Sequence, residues 1–138
     1  MILLKILVVM DVDTKQKQWL EAAAPEADFC YCPGDGTQAG KALEEADVII
    51  GNIAPCLVKK ASQLRWLQLN SAGANEYCQP GVLTAGVTLP NATGAYGLAL
   101  SEHMLAQTLA MMKKLYLYYD NQHQALWRDE GPVTYLYG

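Results

Sequence analysis

Short apolar runs alternate with segments of helical spacing through the first two-thirds of the chain, and each change of period predicts an element. Leu3 to Met10 is rich in leucine and β-branched residues and is bounded by Asp11-Val12-Asp13. A run that is apolar at almost every position predicts a central parallel strand covered on both faces. Thr14 is placed to cap a helix from Lys15 to about Ala24, where Trp19, Leu20 and Ala23 share a face and Pro25 marks the end. Asp28 to Cys32 predicts a short second strand, closed by the turn Pro33-Gly34-Asp35-Gly36, and a helix follows from Thr37 to Ala46. Asp47 to Ile50 predicts a third strand, ending in Gly51-Asn52-Ile53-Ala54-Pro55. Pro55 suits the first position of the short helix Cys56 to Ser62, where its missing N–H costs nothing. Leu64 to Leu69 is the fourth strand, Asn75 to Val82 a turn or short helix interrupted by Pro80, and Val87 to Leu89 the fifth strand. Strands alternating with helices predict an α/β fold, a flavodoxin-like open parallel five-stranded sheet with flanking helices.

After Gly97 the pattern changes. No proline or glycine interrupts the chain to about Tyr119, and Leu98, Leu105, Met112 and Tyr119 fall seven apart. Ala99, Met104, Leu109, Met111 and Leu115 fill in around them, so the helix is apolar over more than one stripe. A lone domain covers one face of such a helix; the other needs a second domain or subunit. Leu98, Leu105 and Met112 are therefore candidate interface residues. Asp120 to Trp127 continues as a second amphipathic segment, and Arg128 to Gly138 is loop-like. The predicted organisation is a core, residues 1–96, followed by a long crossing helix and tail, residues 97–138.

Composition narrows the partners. Of 138 residues, 51% are hydrophobic and 17% charged, which describes a globular chain with a real core. A net charge of −4 with scattered lysines and arginines argues against nucleic acid or an anionic membrane as partner. The apolar start resembles a signal peptide, but Lys5 interrupts it, no small-residue cleavage site follows, and it is too short to span a bilayer. A cytoplasmic location is the expectation. Cys30-Tyr31-Cys32 is neither a redox CxxC nor half of a zinc ribbon, and no second ligand pair follows it. Alternate strand positions put both thiols on one face, expected to be buried; no metal site and no disulfide is predicted.

Two small-residue loops end neighbouring strands. The first is Asn70-Ser71-Ala72-Gly73-Ala74-Asn75, the second Asn91-Ala92-Thr93-Gly94-Ala95-Tyr96-Gly97. Small residues past a strand let backbone N–H groups approach an anion, and such loops mark a ligand crevice at the carboxyl edge of a parallel sheet. Gly34, Gly36 and Gly40 are one residue off the dinucleotide pattern and read as a turn. A phosphorylated receiver domain would use Asp11 and Asp13, but it needs an aspartate where Gly51-Asn52 stands and a lysine where Pro90-Asn91 stands.

Three motifs in order carry a resemblance: Trp-Leu-Gln from Trp66 with Ser-Ala-Gly-Ala-Asn from Ser71, Leu-Pro-Asn-Ala-Thr-Gly-Ala-Tyr-Gly from Leu89, and Ser-Glu-His-Met-Leu-Ala from Ser101. Together they resemble the NAD-dependent D-isomer-specific 2-hydroxyacid dehydrogenases, in the first segment of the substrate domain and the helix that crosses to the cofactor domain. The resemblance covers essentially the whole chain and is sharpest over residues 65–119. It implies that Ser71, Ala72 and Gly73 bind substrate, the amides of Ala72 and Gly73 holding the carboxylate of a 2-hydroxy or 2-keto acid. It places Thr93 and Ser101 near the cofactor, against a competing role in helix capping, and Trp127 at a subunit boundary of a homodimer.

Glu102 and His103 imitate an acid–base pair, but helix neighbours point about 100° apart, so they are read as structural. His123 is read as solvent-exposed. The family's G-x-G-x-x-G turn and its catalytic arginine, glutamate and histidine are absent from these 138 residues. The expectation is a fragment ending before the NAD-binding domain, with no catalytic residues of its own, no bound cofactor and no activity alone. The competing expectation is a standalone flavodoxin-like module for a small ligand or protein partner, monomeric with the long helix buried.

Overall fold

The computed structural model describes residues 3–137; Met1, Ile2 and Gly138, which fall within the expected core and tail, lie outside the described residues. The chain forms two compact units, Met1–Gly94 and Ala95–Gly138. In the first, four strands, β1 (Leu4–Val8), β2 (Ala27–Tyr31), β3 (Val48–Ile50) and β4 (Trp66–Gln68), form one parallel sheet in the order β2-β1-β3-β4. That is an α/β fold with the strand order of flavodoxin-like sheets.

The register explains the core. Leu7 lies opposite Ile49, and Ile49 opposite Leu67, so three large side chains meet in a row on one face. All three are at most 1% exposed. Helices α2 (Lys41–Glu44) and α3 (Pro55–Val58) cover this face with Leu43 and Val58, helped by Ala61 and Leu64. On the opposite face, helix α1 (Thr14–Ala23) reaches β2 through Tyr31. The Tyr31 hydroxyl donates to Glu21 at 3.1 Å, and the Lys17 ammonium lies 4.7 Å from the centre of its ring.

Local chemistry moved several boundaries. Asp13, not Thr14, caps α1: its carboxylate accepts the Gln16 N–H at 2.8 Å, while the Gln16 side chain accepts the Asp13 N–H at 2.9 Å. The face expected on α1 is only partly covered, for Trp19 is exposed and Leu20 half-buried. The helix expected from Thr37 shrinks to α2 because Gly40, at φ +52°, departs from the right-handed helix immediately before it. The expected fifth strand meets β4 by a single bridge, Trp66 to Thr88, since Pro90 has no N–H with which to extend the ladder. Cys30 is exposed and Cys32 half-buried, contrary to the buried face expected, because β2 is an edge strand; Cys56 and Cys78 are exposed as well.

The second unit differs from expectation at its centre. The single helix predicted to Tyr119 is two, α4 (Gly97–Met112) and α5 (Leu115–His123), broken where Lys114 takes a left-handed conformation at φ +56°. A left-handed non-glycine residue costs about 1–2 kcal/mol. Two lysine side chains hold the break: Lys113 donates to the Thr134 carbonyl at 2.8 Å, and Lys114 donates to that of Glu130.

Candidate anion-binding loop at the sheet edge

Three chain segments meet beyond the carboxyl ends of β3 and β4. Gly51 turns the first away from the sheet at φ +115°; a Cβ there would lie 2.9 Å from the Val9 side chain and 3.0 Å from the Met10 nitrogen. The second, residues 69–76, follows β4. The third runs beside it, with the Leu67 N–H donating to Thr88 at 2.9 Å, Leu69 to Pro90 at 3.0 Å, and Ala92 back to Ser71 at 2.9 Å.

These contacts set the direction of the loop's polar groups. The Ser71 carbonyl accepts from the Ala92 N–H, the Ala72 carbonyl from the Asn91 side-chain amide at 2.8 Å, and the Gly73 carbonyl from the Ser71 hydroxyl at 2.9 Å. Three successive carbonyls are thus committed. Among the described residues, no protein acceptor meets the N–H of Ala72 or Gly73, and both residues are exposed. Adjacent donors freed in this way suit an anion, because charge-assisted N–H bonds to a carboxylate are stronger than those between neutral groups.

Ser71 and Gly73 line a cavity of about 450 Å³, together with Asp35, Asn52, Ile53 and Tyr77. Asn52 braces the loop from β3: its side-chain oxygen accepts the Asn70 N–H at 3.1 Å and lies 3.5 Å from the Ser71 hydroxyl. Tyr77 is buried and donates to the Ile53 carbonyl at 2.7 Å, tying the two loops together. Burial, then the nearby Glu76 carboxylate, raises its phenol above the usual range and keeps it a donor. Hydrogen bonds from the Thr37 hydroxyl and N–H hold the Asp35 carboxyl below its usual range, so it is ionised at neutral pH.

The other residues singled out in the sequence fall elsewhere. Thr93 donates its N–H to the Asn91 side chain at 3.1 Å. Neither Thr93 nor Ser101 caps a helix: α4 has no side-chain cap, and the Ser101 hydroxyl donates to Leu98 within the helix. Glu102 and His103 are exposed on α4. His123 is also exposed, its ring edge-on to Tyr119 at 4.4 Å. Leu98 and Leu105 are exposed and Met112 half-buried. Trp127 is fully exposed and lines a larger depression of about 660 Å³ with Tyr118, Leu126 and Arg128. Asn121, Gln122, Ala125 and Asp129 complete the wall of that depression.

Asn52, Asn91 and Tyr77 were not legible as site residues. The two asparagines stand inside loops already marked, but only the fold shows which carbonyl or N–H each one meets. A dinucleotide does not fit the turn after β1. The N-terminus of α1, where a pyrophosphate would sit, is occupied by the Asp13 carboxylate, whose charge would repel it. Among the described residues no group of three or more potential metal ligands occurs, and no helix is long and apolar enough to cross a membrane.

The first unit is thus an α/β domain with a loop cluster and a cavity beyond the carboxyl ends of β3 and β4. No family model and no curated protein matches the sequence. Among solved structures it is similar to a D-isomer specific 2-hydroxyacid dehydrogenase family protein from Aeromonas salmonicida subsp. salmonicida A449, with 25% identity and a TM-score of 0.78 over 94% of this chain and 42% of that one. It is also similar to phosphoglycerate dehydrogenase from Lactobacillus plantarum, with 26% identity and a TM-score of 0.50 over 96% of this chain and 43% of that one. A third likeness, to the NAD-dependent formate dehydrogenase of Staphylococcus aureus in complex with NAD, has 16% identity and a TM-score of 0.64 over 89% and 42%. At that identity it speaks to fold alone. The chain spans 42–43% of the length of these three structures.

Proposed function

We propose that this chain is the substrate-domain portion of an NAD-dependent oxidoreductase that interconverts 2-hydroxy and 2-keto acids. The amides of Ala72 and Gly73, with Ser71 beside them, hold the substrate carboxylate. The observation that carries this reading is the committed carbonyls of residues 71–73, which leave two adjacent N–H groups for an anion. In this reading NAD and the groups that move proton and hydride belong to the remainder of the matched length. Thr93 makes at most a minor contact with the cofactor. The chain on its own binds carboxylate but does not catalyse, and no step through the cofactor is assigned to its residues. The apolar positions Leu98, Leu105, Met112 and Trp127 pair two copies into a homodimer in the cytoplasm.

The test is an NMR titration of the isotopically labelled chain with pyruvate, glyoxylate and lactate. The amide signals of Ala72 and Gly73 should move furthest and saturate, while chloride at equal ionic strength leaves them in place. Saturating carboxylate with no movement at either amide would remove this assignment. Hydride transfer from NADH to pyruvate by the chain alone would refute the division of labour.

A further inference from the structure

We infer that Asn91 is a positioning residue for the carboxylate loop, joining it to the segment that carries Thr93. This rests on the reading of Ala72 and Gly73 as the carboxylate site. Both ends of the Asn91 side chain are used. Its Nδ2 donates to the Ala72 carbonyl at 2.8 Å, and its Oδ1 accepts the Thr93 N–H at 3.1 Å. The two bonds fix the orientation of the amide, since reversing it would set oxygen against oxygen and N–H against N–H.

The consequence follows from peptide geometry. The Ala72 carbonyl and the Gly73 N–H belong to one planar peptide unit and point in opposite directions. A donor pulling on that carbonyl therefore aims the Gly73 N–H away from Asn91. The preceding peptide, between Ser71 and Ala72, is fixed in the same way when the Ala92 N–H binds the Ser71 carbonyl at 2.9 Å. Asn91 and its neighbour thus hold two consecutive peptide planes from behind, and the outward N–H groups are those of Ala72 and Gly73. Because Asn91 also holds Thr93, a displacement of the loop by bound carboxylate is passed to the Thr93 amide through one side chain.

Two variants separate this role from a merely structural one. Asn91→Asp keeps an oxygen for Thr93 but replaces the donor to Ala72 with a charge that repels its carbonyl. Asn91→Ala removes both bonds. Carboxylate affinity should fall about tenfold in either variant, the scale of one lost hydrogen bond. In the wild-type chain the Thr93 amide should shift along with Ala72 and Gly73 during the pyruvate titration. In Asn91→Asp the Thr93 amide should keep its hydrogen-bonded chemical shift and slow exchange despite the weaker binding; in Asn91→Ala it should lose both. Unchanged signals from Leu7, Ile49 and Leu67 establish that each variant is folded. Binding in Asn91→Asp equal to wild type would overturn the inference, as would a Thr93 amide that ignores pyruvate in the wild-type chain. If the wild-type chain binds no carboxylate, it is the underlying functional reading that fails.

Discussion

The two units of this chain use apolar residues in opposite ways. In the first, the large side chains with almost no exposure, Leu7, Val8, Val9, Ile49, Ile53, Leu67 and Leu69, form or adjoin one sheet-centred core. In the second, the only buried residue among those described is polar, Asn121, while Leu98, Leu105, Met104 and Trp127 are exposed. The second unit is instead drawn together by polar ties to its last segment. Asn121 and Arg128 both donate to the Glu130 carboxylate at 2.7 Å, and the Thr134 N–H donates to Met112 at 3.1 Å. Apolar burial is the main driving force of folding, so the first unit has its own stabilising core. The second carries apolar surface that nothing within it covers. An exposed patch of this kind marks a contact site, which is why pairing of two copies forms part of the proposed function.

The largest expected effects break this contrast directly. Ile49→Ala should cost about 2–5 kcal/mol, because it leaves a cavity between Leu7 and Leu67. Urea unfolding followed through the first unit measures it. Leu105→Ala, on exposed α4, should change the same curve by no more than about 0.5 kcal/mol. Leu105→Glu should leave the fold intact and weaken self-association more than tenfold in sedimentation equilibrium. A wild-type chain that stays monomeric at high concentration would remove the dimer from the proposal.

The same contrast explains what the sequence made legible. The core was readable because Leu7, Ile49 and Leu67 stand in apolar runs, and a buried strand leaves few alternatives to such a run. The parallel α/β architecture followed from alternation of strands and helices, and the carboxyl-edge loops from their small residues. The break at Lys114 was not readable: Met112-Lys113-Lys114-Leu115 contains no glycine, proline or asparagine, and tertiary bonds from the two lysines hold the left-handed turn. The exposure of Cys30 was hidden for a related reason. Its strand periodicity holds, but periodicity does not say which strand lies at the sheet edge. The clamp at Asn91 depends on a partner 19 residues away in sequence, which no local pattern encodes.

A smaller effect sharpens the comparison by setting a buried tie against an exposed one. Tyr77→Phe leaves the Ile53 carbonyl without its buried donor and should destabilise the first unit by about 1–2 kcal/mol. It should also loosen the cavity wall and weaken carboxylate binding. Tyr118→Phe removes a hydroxyl that accepts the Glu130 N–H at 3.2 Å on an exposed surface, where water replaces the lost partner. Its cost should stay within about 0.5 kcal/mol by the same unfolding assay. Equal costs would mean that the two units do not differ in how they shield their polar bonds.

The smallest effect is the response of the second unit's polar tie to acid. Hydrogen bonds from Arg128 and then Asn121 hold the Glu130 carboxyl below its ordinary value of 4.5. A carboxyl lowered by folding contributes stability that is fully present above its unfolded pKa and lost as pH falls through the lower folded value. The tie among Asn121, Arg128 and Glu130 should therefore persist through neutral pH and weaken only below about 4.5. The Ile49–Leu67 core contains no carboxyl or imidazole side chain, so its amide signals should stay in place over the same range. In spectra recorded from pH 7 to pH 3 (about the span that brackets carboxyl titration), the Asn121 side-chain amide and the Glu130 N–H should move together. Glu130→Gln keeps an oxygen acceptor for Asn121 but has no charge to lose, and should abolish the transition. If the transition survived in Glu130→Gln, another carboxyl would have to hold this end of the chain, and the polar account of the second unit would need a different anchor.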